Sequence, residues 1–450
     1  MSGGVNSLGW AIEKAGLDQA VVFTLVTRAW QAAAGLVSLI LIALFLSPEI
    51  QGFYYTFSSL LALQAFVELG LYVVLVNLVS REWSKLQFDG SVVVGDAAAL
   101  SRLASLIRFI NKWYSGVSLL FVFGVGIGGH AFFVQSHSAS VAWIAPWWTV
   151  VILAGAQLWM MPMLSVLEGC NQVVALNRFR LVQTVVEAIA MWILFVAGAE
   201  LWVAVGSLTV KVATTLFFLF HKYRLFFGSI LADAGLAAIR WRDDVWPMQW
   251  RLAAQGMVNY LAFSLFTPVM FHYHGAEIAG QMGMTLQVIS VVQLMGLAWV
   301  QTRVPYFGML TARQDYQELD RVWRRASLLS LSFTVAGSLV LWFAVFVLGK
   351  MDFSLVSRML APLPMALFLL GYGLLQITNC QAAYLRAHGR EPFLAVGVVG
   401  GFLIGAFVYV FGSKFGPVGA ATSFTAVIAF FTVPFGSLVW IRRRKEWQAN

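Results

Sequence analysis

An all-α fold that crosses a membrane about twelve times, in two six-helix lobes related by a pseudo-twofold axis along the membrane normal, is what this sequence predicts. Of its 450 residues, 60% are hydrophobic and only 11% are charged, where soluble domains carry roughly 25% charged residues. Mean hydropathy is +0.80. Apolar runs long enough to span a bilayer recur along the whole chain, and short patterns from its first half return in the same order in its second.

The apolar spans cover about 20–46, 52–80, 113–134, 143–167, 181–198, 201–220, 252–273, 278–300, 326–349, 359–379, 393–411 and 417–440. The first 19 residues are polar and amphipathic, and the first apolar run is too long for a cleavable signal, so no signal peptide is expected. Cations set the orientation. Arg81, Lys85, Arg102, Arg108 and Lys112 lie between spans two and three, and Arg178 and Arg180 follow span four. The connections after spans six, eight, ten and twelve are also basic, whereas the other side holds only Lys350, Arg358 and Lys414. Both termini are expected in the cytosol. The net charge of +9 is then a matter of topology, and no nucleic-acid partner is implied. Trp143, Trp147 and Trp148 read as an outer interfacial belt, Trp246 and Trp250 as an inner one. Leu100, Leu103, Ile107 and Ile110 keep helical spacing with cations among them, the pattern of a helix lying on an anionic leaflet. Leu225 to Arg242 looks similar at the midpoint of the chain. The organisation expected is an N-lobe over 1–224, a linker over 225–250 and a C-lobe over 251–450.

The repeat rests on four matches. Glu49-Ile50-Gln51-Gly52 before span two answers Glu277-Ile278-Ala279-Gly280 before span eight. Gly95-Asp96 with Leu100 and Leu103 answers Gln314-Asp315 with Leu319 and Val322. Glu168-Gly169-Cys170-Asn171-Gln172 answers Thr378-Asn379-Cys380-Gln381, and Ala204-Val205-Gly206 answers Pro417-Val418-Gly419. Six spans per half is an even number, so the halves share one orientation.

Ionisable groups inside the spans point to function, because they are expensive in lipid. In span one, Thr24, Arg28, Gln31, Gly35 and Ser38 step along one helical face, with Arg28 about 12 Å inside the run at 1.5 Å per residue. Such a stripe faces a cavity, or else packs on another helix with a snorkelling arginine. Lys211 lies near the middle of span six, where insertion of a lysine costs about 2.5–3.5 kcal/mol. Ser207 and Thr214 share its face. It reads as a cavity cation for an anionic substrate, or as a structural partner of Glu68 or Glu187. Glu68 follows Gln64 by one turn and precedes Tyr72 by another, and Glu187 follows Gln183. Each carboxylate is either a proton-coupling site or a counter-ion, with Glu187 favoured as a counter-ion. Arg251, Gln255 and Asn259 step by four along a face at the start of span seven that matches the Arg28 and Gln31 face, unless Arg251 is an ordinary positive-inside anchor.

Gln51-Gly52-Phe53-Tyr54-Tyr55-Thr56-Phe57, followed by Glu68-Leu69-Gly70, resembles the second-helix pattern of polysaccharide-unit flippases. These belong to the multidrug/oligosaccharidyl-lipid/polysaccharide exporter (MOP) superfamily. Pro305, Arg313, Asp315 and Leu319 resemble that family's loop after the eighth span. The resemblance implies two six-helix lobes around a cavity that opens alternately to either side of a bacterial inner membrane. It implies as substrate an oligosaccharide on a polyprenyl diphosphate, with membrane lipids, a polysaccharide polymerase and glycosyltransferases as partners. Cationic side chains would hold the diphosphate, and Gln64, Gln255, Asn259 and Gln287 would contact sugar hydroxyls.

Other readings have less support. A cation-coupled multidrug exporter of the same superfamily should place acidic residues in its cavity, and span one offers an arginine. A glycan polymerase or ligase should carry a large outer loop, and the outer loops are short. A non-transporting scaffold for glycan assembly is the remaining alternative. Gly124, Gly126, Gly128 and Gly129 lie in an apolar span and read as helix packing, not as a nucleotide loop. His272 and His274 do not share a helical face, so no metal site is expected there. No cofactor or enzymatic nucleophile–base pair is indicated, and Cys170 and Cys380 are expected to be reduced.

Overall fold

The computed structural model describes residues 19–68, 71–89, 92–135, 141–232, 246–351, 353, 355–388 and 392–449. It is an all-α membrane fold. Among the described residues, nine helices are long and apolar enough to cross a membrane. The last of them, Leu394–Trp447, runs through expected spans eleven and twelve, with a kink at Gly416, whose φ is 61°. Expected spans two and seven are each broken into shorter helices, so all twelve spans are accounted for. Span seven breaks because Pro268 has no N–H to give the carbonyl of Ser264, one turn back. Helix α10 (Trp246–Phe263) therefore stops and α11 (Phe266–His274) restarts.

The chain packs as two compact units. The first comprises Met1–Leu46, Leu63–Val134 and Ala142–Ala253. It contains α1 (Gln19–Phe45), α3 (Gln64–Glu68), α4 (Leu71–Trp83) and α5 (Ala97–Val134). It continues through α6 (Ile144–Gly169), α7 (Val173–Val196), α8 (Trp202–Phe217), a π-helical turn at Phe218–Lys222 and α9 (Tyr223–Leu231). A small antiparallel hairpin, β1 (Leu86–Phe88) with β2 (Val93–Gly95), leads into α5.

Two sequence expectations change in this unit. The segment with Leu103, Ile107 and Ile110 is not a separate helix on a leaflet. It is the first part of the 38-residue α5, continuous with span three, and these side chains are buried within the protein. A helix that presents its apolar stripe to neighbouring protein has the same periodicity as one that presents it to lipid. Likewise Trp147 is fully buried, donating from Nε1 to the Gly126 carbonyl at 3.0 Å, and Trp143 is buried beside Phe133. A Cβ at Gly129 would lie 2.0 Å from the Trp147 ring. Two of the four span-three glycines, 126 and 129, thus make room for tryptophans.

The second unit comprises Ser47–Ala62, Gln135–Val141 and Ala254–Asn450. The change at Ala253 falls just beyond the expected linker, whose residues 233–245 lie outside the described residues. Residues 47–62, expected in the N-lobe, belong instead with this unit. They form α2 (Pro48–Leu61), started by the Ser47 hydroxyl accepting from the Ile50 N–H at 3.2 Å, with Pro48 at the first helical position. Helix α2 lies against α12 (Ala276–Gln301) at backbone contact. A Cβ at Gly52 would lie 1.9 Å from the carbonyl oxygen of Ala276; one at Gly280 would lie 3.2 Å from the carbonyl oxygen of Pro48. Each glycine meets the residue one turn before the other, as in a self-complementary twofold contact. Gly52 and Gly280 are the pair matched in the sequence repeat. Gln51, buried, donates to the carbonyls of Gly280 at 2.9 Å and Arg358 at 3.2 Å.

The remaining helices are α13 (Val304–Ala312), α14 (Tyr316–Lys350), α15 (Pro362–Arg386), α16 (Leu394–Phe407), α17 (Ser413–Val427) and α18 (Val433–Ala449). The second repeat match also has a structural counterpart. Asp96 accepts from the N–H of Ala98 at 2.9 Å before α5, and Asp315 accepts from the N–H of Glu318 at 3.2 Å before α14. Both aspartates thus satisfy donors left free at the start of a long helix. Near the C-terminus, Arg444 donates to Asp320, which also accepts from the Tyr384 hydroxyl at 3.1 Å. His388 sits among the rings of Tyr316, Tyr384 and Trp447.

Candidate functional site

The polar positions of spans one and six each meet span five in the first unit. Helix α1 is fastened along α7 by three bonds. Asn177 Nδ2 donates to Thr24 Oγ1 at 3.0 Å, Trp30 Nε1 to the carbonyl of Thr184 at 3.3 Å, and Trp192 Nε1 to Ser38 Oγ at 3.0 Å. The polar stripe of span one therefore divides. Its ends, Thr24 and Ser38, bond to span five, while Arg28 and Gln31 between them stay exposed. The pattern of the stripe could not distinguish packing from exposure, because both use the same periodicity.

Span six is held to span five by two polar rungs. Ser207 Oγ donates to Glu187 Oε1 at 2.8 Å. One to two turns on, the buried amide of Gln183 donates to the Lys211 carbonyl at 3.0 Å and to Thr214 Oγ1 and Thr215 Oγ1, both at 2.9 Å. Lys211 sits between these rungs with its side chain half-buried. Among the described residues, neither Arg28 nor Lys211 has a carboxylate within 4 Å. Glu187 meets the hydroxyl of Ser207 and not the ammonium of Lys211.

Glu68 ends the short α3, half-buried, with the backbone N–H of Tyr72 reaching its carboxylate. It makes no ion pair with Arg28 or with any other described cation. Gln64, one turn earlier, points its amide at Met161 Sδ at 4.0 Å. In the second unit, Gln287 is half-buried on α12. Arg251, Gln255 and Asn259 step by four along α10, and their side chains lie outside the described residues.

The sequence does not single out a further charged cluster in this unit. Arg180 Nη2 donates to Glu168 Oε2 at 2.9 Å and to the Tyr72 hydroxyl at 2.8 Å, and that hydroxyl donates to the same carboxylate oxygen. Arg180 Nη1 also reaches Asn177 Oδ1 at 3.4 Å. The network joins spans two, four and five, and through Asn177 it reaches Thr24 of span one. In the sequence Arg180 marks only orientation and Glu168 only a repeat match. A signal was present: opposite charges twelve residues apart flank the tight reversal at Asn171, whose φ is 60°.

Comparison with solved structures places this arrangement in a known fold. The lipid II flippase MurJ, in an inward closed conformation, matches with a TM-score of 0.68 and 14% identity, covering 94% of this chain and 87% of that one. An inward-facing multidrug resistance MATE family transporter of the MOP superfamily matches at 0.65 and 12% identity, covering 96% and 100%. A eukaryotic MATE transporter matches at 0.56 and 11% identity, covering 96% and 99%. No protein-family model matches the chain, and no curated protein sequence does. At these identities the likeness is one of fold: this chain has the fold of the MOP-superfamily transporters.

Proposed function

We propose that this chain, built on the MOP transporter fold, is a flippase for a polyprenyl-diphosphate-linked oligosaccharide unit. It would move that unit from the cytosolic to the outer leaflet of a bacterial inner membrane by alternating access, for cell-surface polysaccharide synthesis, with both termini in the cytosol. The observation that carries the reading is the sign of the uncompensated charge. Arg28 and Lys211 lie in membrane spans without a carboxylate within 4 Å among the described residues, two cations against one unpaired span carboxylate, Glu68, while Glu168 and Glu187 are engaged by Arg180 and Ser207. A cation in a span is favourable where an anion comes to it. Phosphate oxygens suit arginine bidentately and lysine as a point charge. A lipid II flippase among the solved structures of this fold supports a lipid-linked cargo.

In this reading Arg28, Lys211 and Arg251 hold the diphosphate. Gln31, Gln64, Gln255, Asn259 and Gln287 meet sugar hydroxyls, and the polyprenyl tail stays in lipid. Glu68 is the carboxylate free to carry a coupling proton, and Glu187 tunes the field at Lys211. Glycosyltransferases would load the carrier, and a polymerase would use the unit after transfer. In cells that depend on this chain for surface polysaccharide, its depletion should leave the lipid-linked unit accumulating on the cytosolic side. Undiminished export after depletion would overturn the proposal.

A further inference from the structure

A second feature of the first unit is independent of the proposed cargo. Between span five and the cytosolic end of span six lies a pocket of about 630 Å³. Arg178, His221 and Lys222 are among its lining residues, and no carboxylate is. Arg178 and Lys222 are exposed and make no ion pair within 4 Å among the described residues. The inner wall is aromatic: Phe179 and Phe218 stack at 4.1 Å with their planes 12° apart.

The π-helical turn shapes this rim. Over Phe218–Lys222 the helix widens by one residue per turn, and the side chains there are held by rings. His221 stacks on Phe217 at 5.0 Å, and Lys222 Nζ lies 5.5 Å from the centroid of Tyr223. The result is a cationic mouth over an apolar wall.

We propose that this pocket binds the headgroup of an anionic membrane phospholipid, its phosphate on Arg178 and Lys222 and the first carbons of its chains against Phe179 and Val182. Free inorganic phosphate would gain nothing from the aromatic wall. Of the uncharged polar side chains in the lining, Gln183 and Thr214 already bond each other and Gln172 accepts from the Tyr223 hydroxyl, so that Asn171 is the main amide left for a glycan hydroxyl. The basic residues lie on the side that the cation distribution assigns to the cytosol, where anionic lipid attracts such clusters. The site is separate from the span-one cation, since α1 packs on the Asn177 and Thr184 side of α7.

The test uses the purified full-length protein in neutral detergent, with native mass spectrometry counting bound phosphatidylglycerol and phosphatidylcholine. The wild type should retain phosphatidylglycerol in preference. Arg178→Gln with Lys222→Gln should weaken that retention about tenfold or more, and the control pair Arg303→Gln with Arg313→Gln should not. Val182→Trp fills the pocket without changing charge and should weaken retention likewise, which keeps the test valid if the double variant folds poorly. Equal retention of the two lipids, or retention unchanged in Val182→Trp, overturns the proposal. So does displacement by inorganic phosphate at the affinity of the lipid, which assigns a free anion. Preferential displacement by farnesyl diphosphate also overturns it, because the pocket would then belong to the prenyl carrier.

Discussion

Lys211 is the residue on which the cargo reading depends most. Its carbonyl is tied to Gln183 and Thr215, and its side chain has no carboxylate partner within 4 Å among the described residues. Lys211→Ala should therefore leave folding intact while export falls. Lys211→Arg, which keeps charge but changes geometry, should restore part of it. Abundance and surface polysaccharide measured on both variants decide this; normal export by Lys211→Ala at equal abundance would make the lysine incidental. Glu68 gives the complementary prediction. With no described cation within 4 Å, replacing its carboxylate strands no partner, so the cost of about 3–5 kcal/mol for breaking a buried pair should not arise. Glu68→Gln should accumulate like the wild type and lose only transport driven by a proton gradient. A scarce or unstable variant would instead show that the carboxylate is structural. The sequence reads both residues as lying in the interior of their spans, because apolar flanks define depth. It could not show their partners, because several carboxylates lie within a few turns of each cation and periodicity does not choose among them. The Arg180–Glu168–Tyr72 network escaped for the same reason: each member had a sufficient simpler explanation.

At the scale of elements, the pattern Gln51 to Phe57 is explained by a packing contact. Gln51, Phe53, Tyr55 and Phe57 are buried, and Gly52 brings the α2 backbone against Ala276. Gly52→Val should force the helices apart, at an overpacking cost of about 1–3 kcal/mol or more. A lower melting temperature should report it, and a variant of unchanged stability would show that the contact yields freely. The C-terminal helix carries a pH-dependent contact. Burial among the rings of Tyr316, Tyr384 and Trp447 holds His388 below its ordinary value of 6.5, against a smaller opposing effect of its bond to the Tyr384 carbonyl. The released state then binds the proton more readily than the packed one. The stabilisation is whole above about pH 6.5 and declines as the pH falls below that. Hydrogen exchange over residues 440–449 should quicken on acidification in the wild type and not in His388→Phe; equal acid sensitivity in both would contradict it. Helix type was legible almost throughout, but helix interruption and burial were less so. Periodicity identified the apolar face at Leu103, and residue type singled out Trp143 and Trp147, without revealing that protein, not lipid, covers them.

For the whole molecule, hydropathy and the distribution of cations were enough for an all-α membrane fold with twelve spans. The repeat added pairs whose equivalence has physical content: Gly52 with Gly280 at a mutual contact, and Asp96 with Asp315 as helix caps. The assignment of residues 47–62 to the second unit was not legible, because it depends on a contact between segments more than two hundred residues apart. The chemistry of the cargo is the central claim, and the sign of the charge in the spans is its basis. The most direct measurement reconstitutes the purified chain in proteoliposomes loaded on one leaflet with a fluorescent polyprenyl-diphosphate oligosaccharide, and follows its arrival on the other leaflet beside uptake of a lipophilic organic cation. Transfer of the glycan lipid well above protein-free vesicles, reduced in Lys211→Ala and with no transport of the cation, is the result expected; transport of the cation without transfer of the glycan lipid would contradict it.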